Sequence, residues 1–355
     1  MRDVRSVLRD PRFSADASRP GFPCLTVGRT TNTTHRRTFM QMDPPQHTAQ
    51  RRLLTADFMA ERIECLRGPI QQHTDELLDR MTHGKQGADL VTEFALPLPS
   101  LIICLLLGVP YDDHEFFQKR SATMLRYGAS TSAMATARNE LISYLEQLTA
   151  AKAGTPDDSI ISQLMTRGVS AEQIASMTRL LIIAGHETTA NMTALSVLAL
   201  LRHPAQLSAF RTAADSGETS AVRPAVEELL RYLTIVQSGL PRLAVEDVTV
   251  ADTRIRAGEG VLCMLSAANR DEHVFPDGHV LDIGRDRPRH VAFGFGVHQC
   301  LGQSLARVEL EIALATVICR LPHLRLAVPF ESIRFHTDKL VHGVQELPVT
   351  WSALT

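Results

Sequence analysis

Residues 293–302 read Phe293-Gly-Phe-Gly-Val-His-Gln-Cys300-Leu-Gly302. Gly294, Gly296, His298 and Cys300 fall at every second position, so an extended segment would carry all four on one face. Glycines at such positions let a flat object approach the backbone closely. The residues that follow predict a long helix from about Cys300 to Leu321, with the cysteine at its mouth. Amides at a helix N-terminus carry partial positive charge and favour a thiolate over a thiol. A flat group and an anionic sulfur together imply a haem with a proximal thiolate, whose electron donation favours O–O cleavage. A lone cysteine in a glycine-rich turn reads more simply as a structural residue; the whole pattern points the other way.

The rest of the chain is compatible with such a protein. Its 355 residues, 44% apolar and 21% charged, suffice for a sizeable buried core. A formal net charge of -2 carries no polyanion-binding signature, so nucleic acid is not an expected partner. The 6 cysteines are scattered, without a C-x-x-C pair, which argues against a zinc site or a disulfide framework and fits a reducing cytoplasm. The start, Met1-Arg-Asp-Val-Arg-Ser, is charged rather than an export signal. Ala95 to Leu107 is too short for a bilayer, and Leu180 to Leu201 carries His186 and Glu187 at its middle. Both read as buried helices, and no membrane insertion is expected.

Along the chain, a short helix at Val4 to Leu8 precedes a Pro/Gly/Thr-rich loop from Pro11 to Pro45. Helical spacing runs from His47 to Met81, then through 90–107, 114–126, 136–151 and 158–167. The longest helix is expected from about Ser170 to Arg202, stopped by His203-Pro204. One further helix ends near Leu233. Residues 240–265 alternate as short strands, a Pro/Asp/Gly-rich meander covers 271–288, and the tail reads as loop and short strands. The expected fold class is mostly α with small β-sheets, one domain over 1–355.

Phe293-x-x-Gly296-x-His298-x-Cys300-x-Gly302 resembles the haem-binding signature of cytochrome P450 enzymes at every signature position. The run Cys300-Leu-Gly-Gln-Ser-Leu-Ala-Arg-Val-Glu-Leu310 is similar to soluble actinomycete members, and the likeness extends over nearly the whole chain. It implies the P450 fold, haem b (iron protoporphyrin IX) ligated by Cys300, and a start shortened by a few dozen residues relative to the family. Phe293 and His298 then belong to the haem pocket. His47 and Arg51, one turn apart in Asp43-Pro-Pro-Gln-His47-Thr-Ala-Gln-Arg51, together with Arg242, would face the propionates, and His298 completes the set.

Two more stretches match family motifs. In Ala184-Gly-His-Glu-Thr-Thr189 a glycine, an acid and a threonine stand mid-helix, where propensity disfavours them. By resemblance this is the oxygen-activation motif, in which Thr188 and Glu187 deliver protons across a locally distorted helix; alone it would equally read as a solvated patch. Glu228-Leu-Leu-Arg231 resembles the family's buried E-x-x-R pair. The arginine that joins that pair from the meander is not evident: Val280 stands at the aligned position beside His279, so an incomplete network is expected.

The resemblance implies a monooxygenase that inserts one atom of dioxygen into a small hydrophobic organic substrate, with electrons from a ferredoxin-type donor. Arg285, Arg287 and Arg289 would form a basic docking patch. The substrate pocket would draw on the loop at 20–40, Ile183 to Thr188, Val236 to Leu240 and Val341-His342. A nitric-oxide-reductase-like enzyme is the rival, on Phe94-Ala-Leu-Pro and Ser266-Ala-Ala-Asn-Arg-Asp271, although Ser14-Ala-Asp-Ala-Ser-Arg19 lacks the base cluster that such enzymes use for NADH. A haem-binding protein without turnover is the third reading.

Overall fold

The computed structural model describes residues 1–23, 25, 37–216, 219–286 and 289–353. The helices are α1 (Arg2–Arg9), α2 (Gln46–Thr55), α3 (Ala60–Glu64), α4 (Arg67–Thr82), α5 (Pro97–Leu107), α6 (His114–Leu125) and α7 (Thr131–Lys152). They continue with α8 (Ile160–Thr166), α9 (Ala171–Arg202), α10 (Pro204–Ala214), α11 (Thr219–Leu233), α12 (Leu265–Ala268) and α13 (Gln303–Arg320). Short strands fill the gaps: β1 (Phe13–Ser14), β2 (Gly87–Asp89), β3 (Leu240–Ala244) and β4 (Val248–Val250) come first. β5 (Thr253–Ile255), β6 (Gly260–Cys263), β7 (Arg325–Leu326) and β8 (Pro348–Thr350) follow. They pair antiparallel as β1-β3-β6, β2-β8-β7 and β4-β5. The expected class, mostly α with small sheets, is the one observed.

α9 is the axis of the fold. Ser170 starts it by accepting the Gln173 amide on its side chain, and Pro204 stops it by removing the next donor. Nearly every residue from Ile174 to Leu200 is buried, against α5, α7 and α13. Gly185 is explained by this packing: a Cβ there would stand 3.1 Å from Ile103 on α5. The helix runs on through 184–189, where the Thr188 hydroxyl bonds back to the Ala184 carbonyl at 2.5 Å. The close approach of α5 favours the missing side chain.

Elsewhere the sequence reading merged elements. His47 to Met81 is three helices, because the chain turns at Ala56–Phe58 and again at Cys65-Leu66. The segment before Leu233 is two helices, α10 and α11, parted at Asp215-Ser216. Apolar spacing persists across such short turns, so periodicity alone does not reveal them.

The network on α11 is complete, contrary to expectation. Arg231 donates to both Glu228 oxygens at 2.7 Å and to the carbonyls of Asn269, Gly278 and Val280 at 2.7, 2.7 and 3.1 Å. The third member is Arg285, whose Nε donates to Glu228 Oε1 at 3.2 Å. The Asp282 amide adds a bond at 3.0 Å, and the turn closed by Arg285 N–H on Asp282 carbonyl carries the guanidinium back inward. Val280 contributes only its backbone; its side chain is exposed. Removing one partner of a pair this buried strands the other charge. Glu228→Gln should therefore cost about 3–5 kcal/mol in urea unfolding, whereas Val280→Ala should stay within about 0.5 kcal/mol.

Candidate functional site

The loop 293–300 is a tight reversal and not an extended strand. Cys300 N–H returns to the Phe293 carbonyl at 2.9 Å, Gly294 N–H bonds to Val291 carbonyl at 2.8 Å, and 296–298 form one 3₁₀ turn. Gly294 and Gly296 take φ of 73° and 75°, which side chains disfavour. At Gly296 a Cβ would also collide with the Leu8 carbonyl at the end of α1. The glycines thus serve the reversal and the docking of α1, a correction to the one-face expectation. α13 starts at Gln303, so Cys300 stands ahead of the helix rather than in it.

Cys300 is open to solvent at the floor of this arrangement. The protein crowding around it pushes its thiol up, while the Gly302 amide, Arg51 and Arg307 pull it down. The helix-end effect expected from sequence survives as that single amide, from the residue that caps α13.

Around the sulfur four basic side chains converge from three elements. α2 supplies His47 and Arg51, β3 supplies Arg242, and the loop supplies His298. The His47 and His298 rings lie 4.2 Å apart. His47 is buried with both ring nitrogens unpartnered. Arg242 is 6% exposed, and its Nη1 donates to the Pro241 carbonyl at 2.8 Å. Burial, Arg242, His47 and Arg51 push His298 down to about 3, and burial with Arg51 and Arg242 lowers His47. The acid nearest this group is Asp43, whose carboxylate accepts from Ser14 Oγ at 2.5 Å and the Ala15 amide at 2.8 Å. Two unpartnered ring nitrogens of His47 and the guanidinium groups of Arg51 and Arg242 beside them suit a dianionic guest. The residues present therefore fit a flat group bearing two carboxylates, ligated by Cys300.

Phe293 closes the opposite side of the loop. Arg307 of α13 stacks on its ring at 4.6 Å and bridges to Glu227 at 2.5 Å. His290 Nε2 meets the same carboxylate at 3.0 Å. Burial raises Glu227, but the bonds from His290 and Arg307 outweigh it and hold the carboxyl at about 2. Sequence reading passed over this brace, although Glu227 sits next to the quoted Glu228-x-x-Arg231 and Arg307 lies within the quoted run Cys300 to Leu310.

Mid-α9, the open positions are Ile183, Ala184, Gly185 and Thr188. Thr188 Oγ1 donates to the Ala184 carbonyl at 2.5 Å, one turn back. Glu187 is turned elsewhere: it is 6% exposed and paired with Lys339, not a solvated patch. His342 and Val341 sit beside Ile235 through the His342 amide at 2.8 Å. Of the pocket loop at 20–40, residues 24 and 26–36 lie outside the described residues.

The basic patch differs from expectation. Arg285 is committed to Glu228, Arg287 lies outside the described residues, and Arg289 is exposed. Arg289 instead joins Arg2, Arg5 and Arg9 on the rim of a groove of about 1560 Å³ that reaches Phe295 and Gln299 of the cysteine loop. Arg5 and Arg9 sit over the Phe295 ring at 5.3 and 5.6 Å.

A family model described as Cytochrome P450 matches residues 3–325. The chain is 58% identical over 350 residues to Cytochrome P450-SU2 of Streptomyces griseolus, covering 98% of this chain and 86% of that protein. It is 46% identical to Pentalenic acid synthase of Streptomyces avermitilis, again over 98% of this chain and 86% of that one. Among solved structures, the mycinamicin VIII C21 methyl hydroxylase of Micromonospora griseorubida, bound to mycinamicin VIII, superposes with a TM-score of 0.91. It is 38% identical, with 98% of this chain and 88% of that chain covered.

Two carboxyls, half-buried Glu227 and buried Glu309, predict a pH profile. Glu227 is depressed when folded, so its stabilisation is present above the ordinary carboxylate range and lost as pH falls toward about 2. Glu309 on α13 is raised by burial to about 8, with Oε2 unpartnered. Its sign is opposite: stability is full below the unfolded pKa and lost as pH rises to about 8. Urea midpoints measured from pH 3 to 9 should show the acid limb flattened in Glu227→Gln and the alkaline limb flattened in Glu309→Gln.

Proposed function

The chain belongs to the cytochrome P450 family, and on that premise we propose that Cys300 is the proximal thiolate of haem b. His47, Arg51, Arg242 and His298 then receive the two propionates, and Phe293 lines the proximal side, within one P450 domain over 1–355. The observation that carries this is buried His47, with both ring nitrogens unpartnered, grouped with buried Arg242, Arg51 and His298 beside an open cysteine. The enzyme is a monooxygenase, acting on an organic substrate with dioxygen and a redox partner. Bound haem supplies the activation of dioxygen, and a thiolate ligand favours O–O cleavage.

The side chains of α9 set the proton supply. Thr188 stands at the open face with its hydroxyl on the Ala184 carbonyl, where it can exchange that bond for one to a water or to dioxygen. Glu187, its neighbour in sequence, is the carboxylate that replenishes the proton. Ile183 and Ala184, the open residues one turn before Thr188, are apolar. This lining suits a small hydrophobic organic substrate. The hydroxylase and synthase names among the relatives support natural-product tailoring, with oxidation of foreign compounds as the other use of such a pocket. The Glu187 and Thr188 pair, with no base cluster at Ser14 to Arg19, speaks against nitric-oxide reduction by NADH.

A ferredoxin-type donor fits the groove beside the cysteine loop, because its rim carries Arg2, Arg5, Arg9 and Arg289. Among the described residues no helix is long and apolar enough to cross a membrane. The described cysteines are all free, which supports a cytoplasmic site of action.

Reduction by dithionite under carbon monoxide tests the ligand. The expected result is the red-shifted Soret band of a thiolate-ligated ferrous carbonyl, absent in Cys300→Ser; retention of that band in Cys300→Ser would exclude Cys300. For the donor site, Arg9→Glu with Arg289→Glu should slow reduction by a plant-type ferredoxin by about tenfold and weaken its salt dependence. The carbonyl spectrum should be unchanged in that variant.

A further inference from the structure

Glu187 does not point at the open face that its neighbour Thr188 occupies. Its Oε1 accepts from Lys339 Nζ, with the two side chains only 7% and 13% exposed, and its Oε2 is buried without a partner. Lys339 belongs to a hairpin, 335–344, closed by the Phe335–Val344 bridge and by His336 N–H on the Gly343 carbonyl at 2.8 Å. The hairpin touches α9 at two places, Lys339 on Glu187 and Gly343 on Asn191. Gly343 has no room for a side chain, because Asn191 occupies the space, and Asn191 in turn donates to the Glu187 carbonyl at 2.8 Å.

The same hairpin is fastened to the corner between α6 and α7. Lys339 pairs with Arg126 as an isolated β-bridge. Tyr127 N–H bonds to the Asp338 carbonyl at 2.7 Å, and Leu340 N–H to the Leu125 carbonyl at 3.0 Å. The Arg126 guanidinium adds an exposed contact to Asp338 at 3.1 Å. One residue therefore meets the α6–α7 corner with its backbone and the α9 carboxylate with its side chain. Among the described residues, His186, His336, Asp338 and His342 are charged or titratable groups near this pair. While the corner is seated, rotating Glu187 toward Thr188 would leave a buried ammonium without its counter-charge. Lifting the corner breaks the bonds that seat Lys339.

We propose that Lys339 is a positioning residue that holds Glu187 off the open face of α9 and releases it when the α6–α7 corner separates from the hairpin. This rests on the assignment of proton supply to Glu187.

The test is a double-mutant cycle on the haem-loaded full chain with Lys339→Met, Glu187→Gln and the double variant, and Lys339→Arg as the conservative replacement. The rate of imidazole entry is read from the Soret shift, and amide exchange is read at Tyr127 and Leu340. Each single variant should speed entry by about tenfold and raise exchange at both amides, and the double variant should do no more than either alone. Lys339→Arg should stay near the parent. Effects that multiply in the double variant, or entry and exchange unchanged in both singles, would overturn the latch. Solvent deuterium isotope effects on NADPH consumption, driven through a plant-type ferredoxin and its reductase, separate the premise from the proposal. The isotope effect should rise in Glu187→Gln and fall in Lys339→Met, where the acid is freed. A rise in both would mean that the lysine keeps the acid working, which sinks the proposal. An unchanged value in Glu187→Gln with a non-additive cycle would remove the proton role of Glu187 and leave the latch standing.

Discussion

One backbone hydrogen bond, from the Cys300 amide to the Phe293 carbonyl at 2.9 Å, holds the reversal on which the site depends. It closes only because Gly294 and Gly296 accept positive φ. The reversal brings α1 against Gly296, points Phe293 at Arg307, and leaves Cys300 one short step ahead of α13. From Phe293 the constraint passes outward through Arg307 and Glu227 to α11. There Glu228 and Arg231 tie the meander through backbone carbonyls and Arg285. The proximal half of the molecule is thus one connected set of charged hydrogen bonds built outward from a loop.

The opposite half is organised by packing. α9 is buried along most of its length, and Gly185 permits α5 to come close enough to bury it. The few open positions in its middle therefore mark where the structure leaves room for chemistry. Thr188 is among them and Glu187 is not. Two residues adjacent in sequence thereby differ in what they can do: 100° of helical rotation separates an accessible hydroxyl from a carboxylate held by a lysine.

The basic cluster at the cysteine and the cationic rim outside the loop are also distinct in kind. His47 and Arg242 are buried and His298 is half-buried, and burial with the neighbouring guanidinium charges lowers both imidazoles, an arrangement that a bound dianion would relieve. Arg9 and Arg289 are exposed on a groove, where their charge acts at longer range and is screened by salt. The first set selects a tightly held group; the second suits a transient partner.

Much of this was legible in the chain. The helical class, the long α9, the strands of 240–265 and every proposed site residue from His47 to Cys300 could be marked from spacing, turn chemistry and the family signature, because these depend on local periodicity and on residue types that few environments demand together. Three things were decided only in three dimensions. The role of Gly185 depends on which helix lies against it. The completion of the Glu228 network by Arg285 depends on a turn that reverses the meander, and sequence distance from Val280 concealed it. The pairing of Glu187 with Lys339 joins residues 152 apart. Sequence alone determined which groups the protein carries and which local elements hold them; the tertiary structure decided which of those groups meet, because a side chain's partner is set by the packing of distant elements and leaves no local mark.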